Sequence, residues 1–188
     1  VYDTNSGYQA FSVTSTGGVW ATAMTATFAA GVQNTSPDDY FSSVSCVSVG
    51  NCTAVGQFYD SNYKYQAFTQ SLIGGVWANA VPVTFAAGVQ NTNPASYFNA
   101  VSCASAGNCT AVGQFFDVNM HYQQAFAQTS TNGVWANGVP MAFATGVQNS
   151  SPGARFRSVS CPSAGNCTAV GLFKDVDGHN QAFSASLV

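Results

Sequence analysis

Ser43-Val44-Ser45-Cys46-Val47-Ser48-Val49-Gly50-Asn51-Cys52-Thr53-Ala54-Val55-Gly56 is the stretch whose reading decides the fold. Ser43 to Cys46 alternates polar and apolar residues, as a strand with one buried face does. Gly50-Asn51 carries turn chemistry, and Cys52 to Phe58 reads as a second strand. The two cysteines therefore flank a five-residue hairpin loop, where facing positions approach to disulfide distance. A ring this small stabilises by about 2 kcal/mol in the loop-entropy model. The same stretch returns at Cys103/Cys109 and Cys161/Cys167, each time inside a variant of S-V-S-C-x5-C-T-A-V-G. A fixed period of this length signals stacked or radially arranged supersecondary units.

The rest of the unit reads outward from the hairpin. Asp60-Ser61-Asn62 turns into a third strand, Tyr65 to Ser71, and Gly74-Gly75 turns into a fourth, Val76 to Ala80. A longer connection through Phe85, Gly88, Gln90, Asn91 and Pro94 leads to the next cysteine pair. Four antiparallel strands and a crossing are the content of a propeller blade. No stretch shows sustained helical periodicity with caps. The expectation is an all-β chain of three tandem four-stranded repeats, propeller-blade-like, each with a hairpin disulfide; the alternative is a β-trefoil. As one repeat region over 1–188, its units run approximately 1–57, 58–115 and 116–172, with a surplus strand segment at 173–188. The surplus shows in the motif count. Gly-Val-Trp occurs three times (Trp20, Trp77, Trp135), but Gln-Ala-Phe four times (Phe11, Phe68, Phe126, Phe183). An unpaired strand edge invites a neighbour, so the expected partners are further copies in a homo-oligomer, or neighbouring subunits.

The composition narrows the function. Charged residues make up 6% of the chain, with 4 Lys+Arg against 7 acids, all Asp, for a formal net charge of -3. An ordinary domain has roughly a quarter, so the surface is one of Ser, Thr, Asn, Gln and Gly. With no basic cluster, phosphate-backbone binding lacks its electrostatic drive, and nucleic acid is not an expected partner. No apolar run reaches the roughly 18 residues that a membrane span needs. The chain opens on Val1, which fits a removed leader or a piece of a longer protein. Six cysteines in three local pairs read as disulfides formed in an oxidising compartment, placing the protein outside the cell or on its surface.

The frame S-V-x-C-x5-C-x-A-V-G, a strand, then G-G-V-W resembles bacterial neuraminidase-repeat (Asp-box) propellers. It is also similar to the photosystem-assembly-factor type of propeller and its cysteine-paired actinobacterial relatives. The likeness implies blades. It departs at the Asp-box itself: Ser15-Thr16-Gly17-Gly18, Leu72-Ile73-Gly74-Gly75 and Thr131-Asn132-Gly133 lack the Asp before the glycines. Sialidases of that architecture use three arginines, a Tyr nucleophile and a Glu. This chain has Arg155 and Arg157 and no Glu, so the resemblance does not extend to sialidase chemistry.

Three polar patterns are candidates for binding. The turns at Asp3, Asp60, Asp117 and Asp175 carry Asp-x-[Asn/Asp]-like sequences. Such carboxylates either bond nearby backbone amides or present oxygens to calcium, for which Asp175 and Asp177 are the best placed; no other cofactor is expected. Gln33, Asn34, Gln90, Asn91, Gln148 and Asn149 in the long connections, with Tyr40 and Tyr97 nearby, are candidate glycan-binding groups. Their alternative role is to satisfy backbone groups. Asn51, Asn108 and Asn166 open sequons but sit at hairpin turns. No nucleophile–base pair, paired carboxylates or histidine cluster recurs with the unit; His121 and His179 lie in turns where the other copies have Lys64 and Ser6. The chain therefore reads as a non-enzymatic, secreted structural or surface protein that self-assembles into a filament, ring or layer through complementary terminal strands. The alternative is a multivalent carbohydrate-binding or adhesion module.

Overall fold

A computed structural model describes residues 7–33, 38–89, 95–116, 123–147 and 153–187, and every regular element among them is a β-strand. β1 (Phe11–Ser12) pairs with β4 (Met24–Thr25), and β2 (Ser15–Thr16) pairs with β3 (Val19–Trp20). Next comes a full meander of β5 (Tyr40–Ser48), β6 (Asn51–Tyr59) and β7 (Tyr65–Ile73), edged by β8 (Val76–Trp77) and β9 (Val81–Pro82). A second follows: β10 (Ser96–Ser105), β11 (Asn108–Phe116), β12 (Gln123–Thr131), β13 (Val134–Trp135) and β14 (Val139–Pro140). The third contains β15 (Arg155–Ser163), β16 (Asn166–Lys174) and β17 (Asn180–Leu187). All strand pairings within these sheets are antiparallel. The strands of different units stay in separate sheets, whereas a trefoil would merge them in one barrel.

The cysteine hairpins close as the spacing predicts. Cys46–Cys52, Cys103–Cys109 and Cys161–Cys167 are disulfide-bonded, with Cα atoms 4.0, 4.0 and 4.1 Å apart. Asn108 at the turn donates its amide to Ser105 Oγ (2.9 Å), and Asn51 and Asn166 do the same to Ser48 and Ser163. Gly133 N donates to Gly107 O (2.9 Å) and Gly75 N to Gly50 O (3.0 Å), tying the cysteine hairpin to the Gly turn after the third strand. These sequon asparagines are structural clamps.

The Gly of Ala-Val-Gly has a steric cause. β10 slips register between Phe98 and Ala100, pushing the Tyr97 carbonyl over Gly113, and β5 and β15 do the same over Gly56 and Gly171. A methyl group at any of these glycines would overlap the carbonyl oxygen of Tyr40, Tyr97 or Arg155.

The fourth strand differs from expectation. It does not run from Val76 to Ala80 but breaks at Ala78 to Ala80 and resumes at Val81. Ala80 N leaves its own sheet to bond Thr27 O (2.7 Å), as Gly138 N bonds Thr84 O (2.7 Å). Gln70 and Gln128 fill the gap by donating their amides to Ala78 O and Ala136 O (2.8 and 2.6 Å).

Each meander has its own four-phenylalanine core. Phe28, Phe41, Phe58 and Phe68 meet in the first, and Phe85, Phe98, Phe115 and Phe126 in the second. Phe143, Phe156, Phe173 and Phe183 form the third, with centroids 4.8 to 6.0 Å apart. Such edge-on and tilted pairs add to the apolar burial itself. Between meanders, Val55 and Ala67 pack against Phe98, Val101 and Ala111, and Val112 and Ala125 pack against Phe156 and Ala169. The sheets thus stack face to face.

Candidate functional site

The Ser-Val-Ser residues serve the interface between units. The Val101 and Cys103 amides of β10 donate to Ser43 Oγ and Ser45 Oγ of β5 (3.3 and 3.0 Å), and Cys161 N of β15 donates to Ser102 Oγ (3.0 Å). Serines of one first strand therefore cap backbone donors on the open edge of the next, which would otherwise lack partners. Thr53 Oγ1 lies 3.4 Å from Cys109 Sγ, and Thr110 Oγ1 lies 3.1 Å from Cys167 Sγ. A disulfide sulfur carries no hydrogen, so the threonine is the donor.

The two ends of the stack expose what its middle buries. Val55 and Val112, on the forward faces of β6 and β11, are 0% exposed, whereas their counterpart Val170 on β16 is 45% exposed. On the opposite side Val101 is 6% exposed and its counterpart Val44 on β5 is 61% exposed. Beside Val44 opens a cleft of about 760 Å³, walled by Phe11, Val13 and Trp20 on one side and by Cys46, Cys52 and Ala54 on the other. It continues into a smaller recess of about 460 Å³ lined by Tyr8, Asp38 and Tyr40.

A second polar feature gathers at the start of the first strands. Tyr65 donates its hydroxyl to Asp38 Oδ2 (2.5 Å), and that bond pushes the phenol's pKa well above its usual value. Its ring lies 4.5 Å from Tyr59 and 6.0 Å from Tyr97, and Tyr63 stands edge-on to Tyr59 at 6.1 Å. Burial raises the pKa values of Tyr40 and Tyr97 as well, so all three phenols stay neutral donors. Gln114, the register partner of Tyr97, keeps a buried Oε1 without a hydrogen-bond partner among the described residues.

The structure sorts the candidate glycan groups. Gln33 spends its amide on Asp39 Oδ1 (2.6 Å), a structural role. Asp39 is itself buried and accepts from Ala10 N (3.1 Å); Ser96 Oγ holds Ala67 N (2.9 Å) at the equivalent place. Tyr40 and Tyr97 belong to the aromatic row. Asn34, Gln90, Asn91, Gln148 and Asn149 lie outside the described residues. Sequence reasoning missed Asp38, Tyr59, Tyr63 and Tyr65 because none recurs in all units.

No protein-family model matches the chain, and no curated protein matches it. Among solved structures it is similar to a subtype N11 neuraminidase-like protein of A/flat-faced bat/Peru/033/2010 (H18N11), at 12% identity and a TM-score of 0.30. The match covers 74% of this chain and 50% of that one, so the chain spans half the length of its neighbour. A likeness this loose carries no argument about chemistry.

At the Asp175 turn the carboxylate is already occupied. Its Oδ1 accepts from Asp177 N (3.1 Å) and His179 N (2.9 Å), and its Oδ2 accepts from Gln181 Nε2 (2.8 Å). Those bonds, the Gln181 amide foremost, hold its pKa below the ordinary value of 3.8. Asp60 grips Asn62 N and Lys64 N in the same way (2.8 and 2.9 Å). Asp175, Asp177 and His179 come within 4.8 Å of one another, but two carboxylates without a bidentate Glu are few for calcium's six to eight oxygens. Among the described residues no helix is long and apolar enough to cross a membrane.

Proposed function

We propose that the chain is a non-enzymatic structural repeat protein of the extracellular space, which assembles by stacking like units on its two open faces. The observation that carries this reading is the match between the ends and the middle. Val44 and Val170 are exposed at the two ends, while the same positions in neighbouring units are sealed against each other. Each end therefore presents one half of an interface that the chain already makes twice internally. Such an interface is heterologous, and heterologous contacts build rings or open filaments according to the rotation per step. The three hairpin disulfides suit an oxidising compartment. The test is light scattering across a concentration series, with electron microscopy of the same samples. Mass should rise with concentration and resolve into rings or filaments, and Val44→Asp should keep the chain monomeric. A wild-type chain that stays monomeric at high concentration refutes assembly.

The tyrosine row supports a second reading, a carbohydrate-binding module. Neutral phenols, aromatic ring faces and the unpaired Gln114 carbonyl suit sugar hydroxyls and ring C–H groups. A glycan array compared between wild type and Tyr97→Ala tests it; equal signals, or none, rule it out.

A further inference from the structure

Phe11 is a core residue without a core. Its counterparts Phe68 and Phe126 are 0% exposed within their quartets, yet Phe11 is 49% exposed and meets no other aromatic ring among the described residues. β1 pairs on one side with β4 and carries no strand on its other edge among the described residues. In the complete meanders that edge is held by the second strand of the cysteine hairpin: Gly56 faces Phe68 and Gly113 faces Phe126. Among the described residues β1 with β2, β3 and β4 is thus the outer half of a meander without a hairpin beside it.

At the opposite end the described residues supply the hairpin without a fourth strand. β15 and β16 are joined by β17, with Gly171 facing Phe183, but no fourth strand lies on β17 among the described residues. The third strands β7 and β12 each carry one.

Resting on the assembly reading above, we propose that two copies join by strand exchange: β1 of one copy displaces β17 from β16 of the next. The register is fixed by the repeat. Gln9-Ala10-Phe11-Ser12 takes the place of Gln181-Ala182-Phe183-Ser184, so Gly171 faces Phe11 and Val170 faces Ser12. Phe11 then enters the nest of Phe143, Phe156 and Phe173 that Phe183 fills at 4.9, 5.0 and 6.0 Å. Exchange is required because β16 has one edge to give and both third strands claim it. The trade favours β1, which continues into β2 and brings its own fourth strand in β3 and β4. It also carries β15 and β16 into the cleft beside Val44. There Ser158 and Ser160 reach the Val44 and Cys46 amides as Ser43 and Ser45 reach those of Val101 and Cys103. Within one copy β17 is a plug for the site that a second copy occupies.

Cross-linking tests the register directly. Every cysteine of the chain is already paired, so one added thiol per copy is unique. Ser12→Cys protein mixed with Val170→Cys protein and mildly oxidised should give a disulfide-linked pair, mapped to those two positions by mass spectrometry. Phe11→Ala placed in the Ser12→Cys partner should abolish the link while lowering the monomer's melting temperature far less than Phe68→Ala does, since Phe11 is half exposed and meets no other ring among the described residues. Hydrogen exchange in β17 should accelerate as assembly proceeds. Assemblies that form with β17 still protected and no cross-link would overturn strand exchange while leaving stacking intact. A chain that remains monomeric overturns both.

Discussion

Tyr97 O sits where a side chain on Gly113 would have to go, and the atoms that crowd it are all backbone of Tyr97 and Phe98, with nothing flexible to yield. Gly113→Ala is therefore expected to destabilise by more than about 3 kcal/mol, in the range of severe backbone and packing defects. The measurement is the urea midpoint, compared with a Gly146→Ala control whose added methyl meets open space, though at a positive φ of 80°. Asp175 gives a pH signature of opposite scale. Its carboxyl titrates below the ordinary value because the Gln181 amide and the His179 and Asp177 N–H groups bond the charged form. A depressed folded-state pKa means the turn's stabilisation is complete above the ordinary carboxylate value and fades as pH falls through the depressed one. Protection of the His179 amide against hydrogen exchange should hold at neutral pH and drop only in strong acid. Asp175→Asn should lose much of that protection at every pH.

At the scale of the element, the hairpin is the part that the sequence makes legible. Cys46 and Cys52 with Gly50-Asn51 between them specify two strands, a turn and a bridge using neighbouring residues alone. The serines before the cysteine look like ordinary exposed-face residues by the same logic, because their partners are amides in the next unit. Ser45 accepts from Cys103 N, 58 residues away, and local pattern has no access to that. The broken fourth strand was hidden for the same reason, since Ala80 N is claimed by Thr27 O of the preceding unit. The tyrosine row was legible only in part: Tyr40 and Tyr97 recur at one position, but the Asp38–Tyr65 bond is peculiar to one unit. Ser45→Ala leaves the Cys103 amide short of an acceptor and should cost about 1 kcal/mol. Removing the Cys103–Cys109 bridge by paired Ser substitution should cost about 2 kcal/mol. The two effects should not add, because Ser45 caps the amide of the residue that forms that bridge. A double-mutant cycle on urea unfolding measures the coupling.

For the whole molecule, one chemical change at equivalent positions separates folding from assembly. Val112 and Val170 occupy the same place on β11 and β16, and they differ only in whether another unit lies on top. Val112→Asp puts an unpaired carboxylate between two sheets with no compensating partner, and the chain should fail to fold or lose several kcal/mol. Val170→Asp leaves the same carboxylate in water within a single copy, so the melting temperature should stay near that of wild type. If the exposed face is the unmade half of the internal interface, Val170→Asp should still abolish concentration-dependent growth in light scattering. It should also poison growth when mixed with wild type, because an intact Val44 face lets each variant copy cap a growing end. Val170→Asp copies that assemble as readily as wild type would mean that the β16 face lies outside the contact. The exposed valines would then be surface, and the stack would grow by some other route.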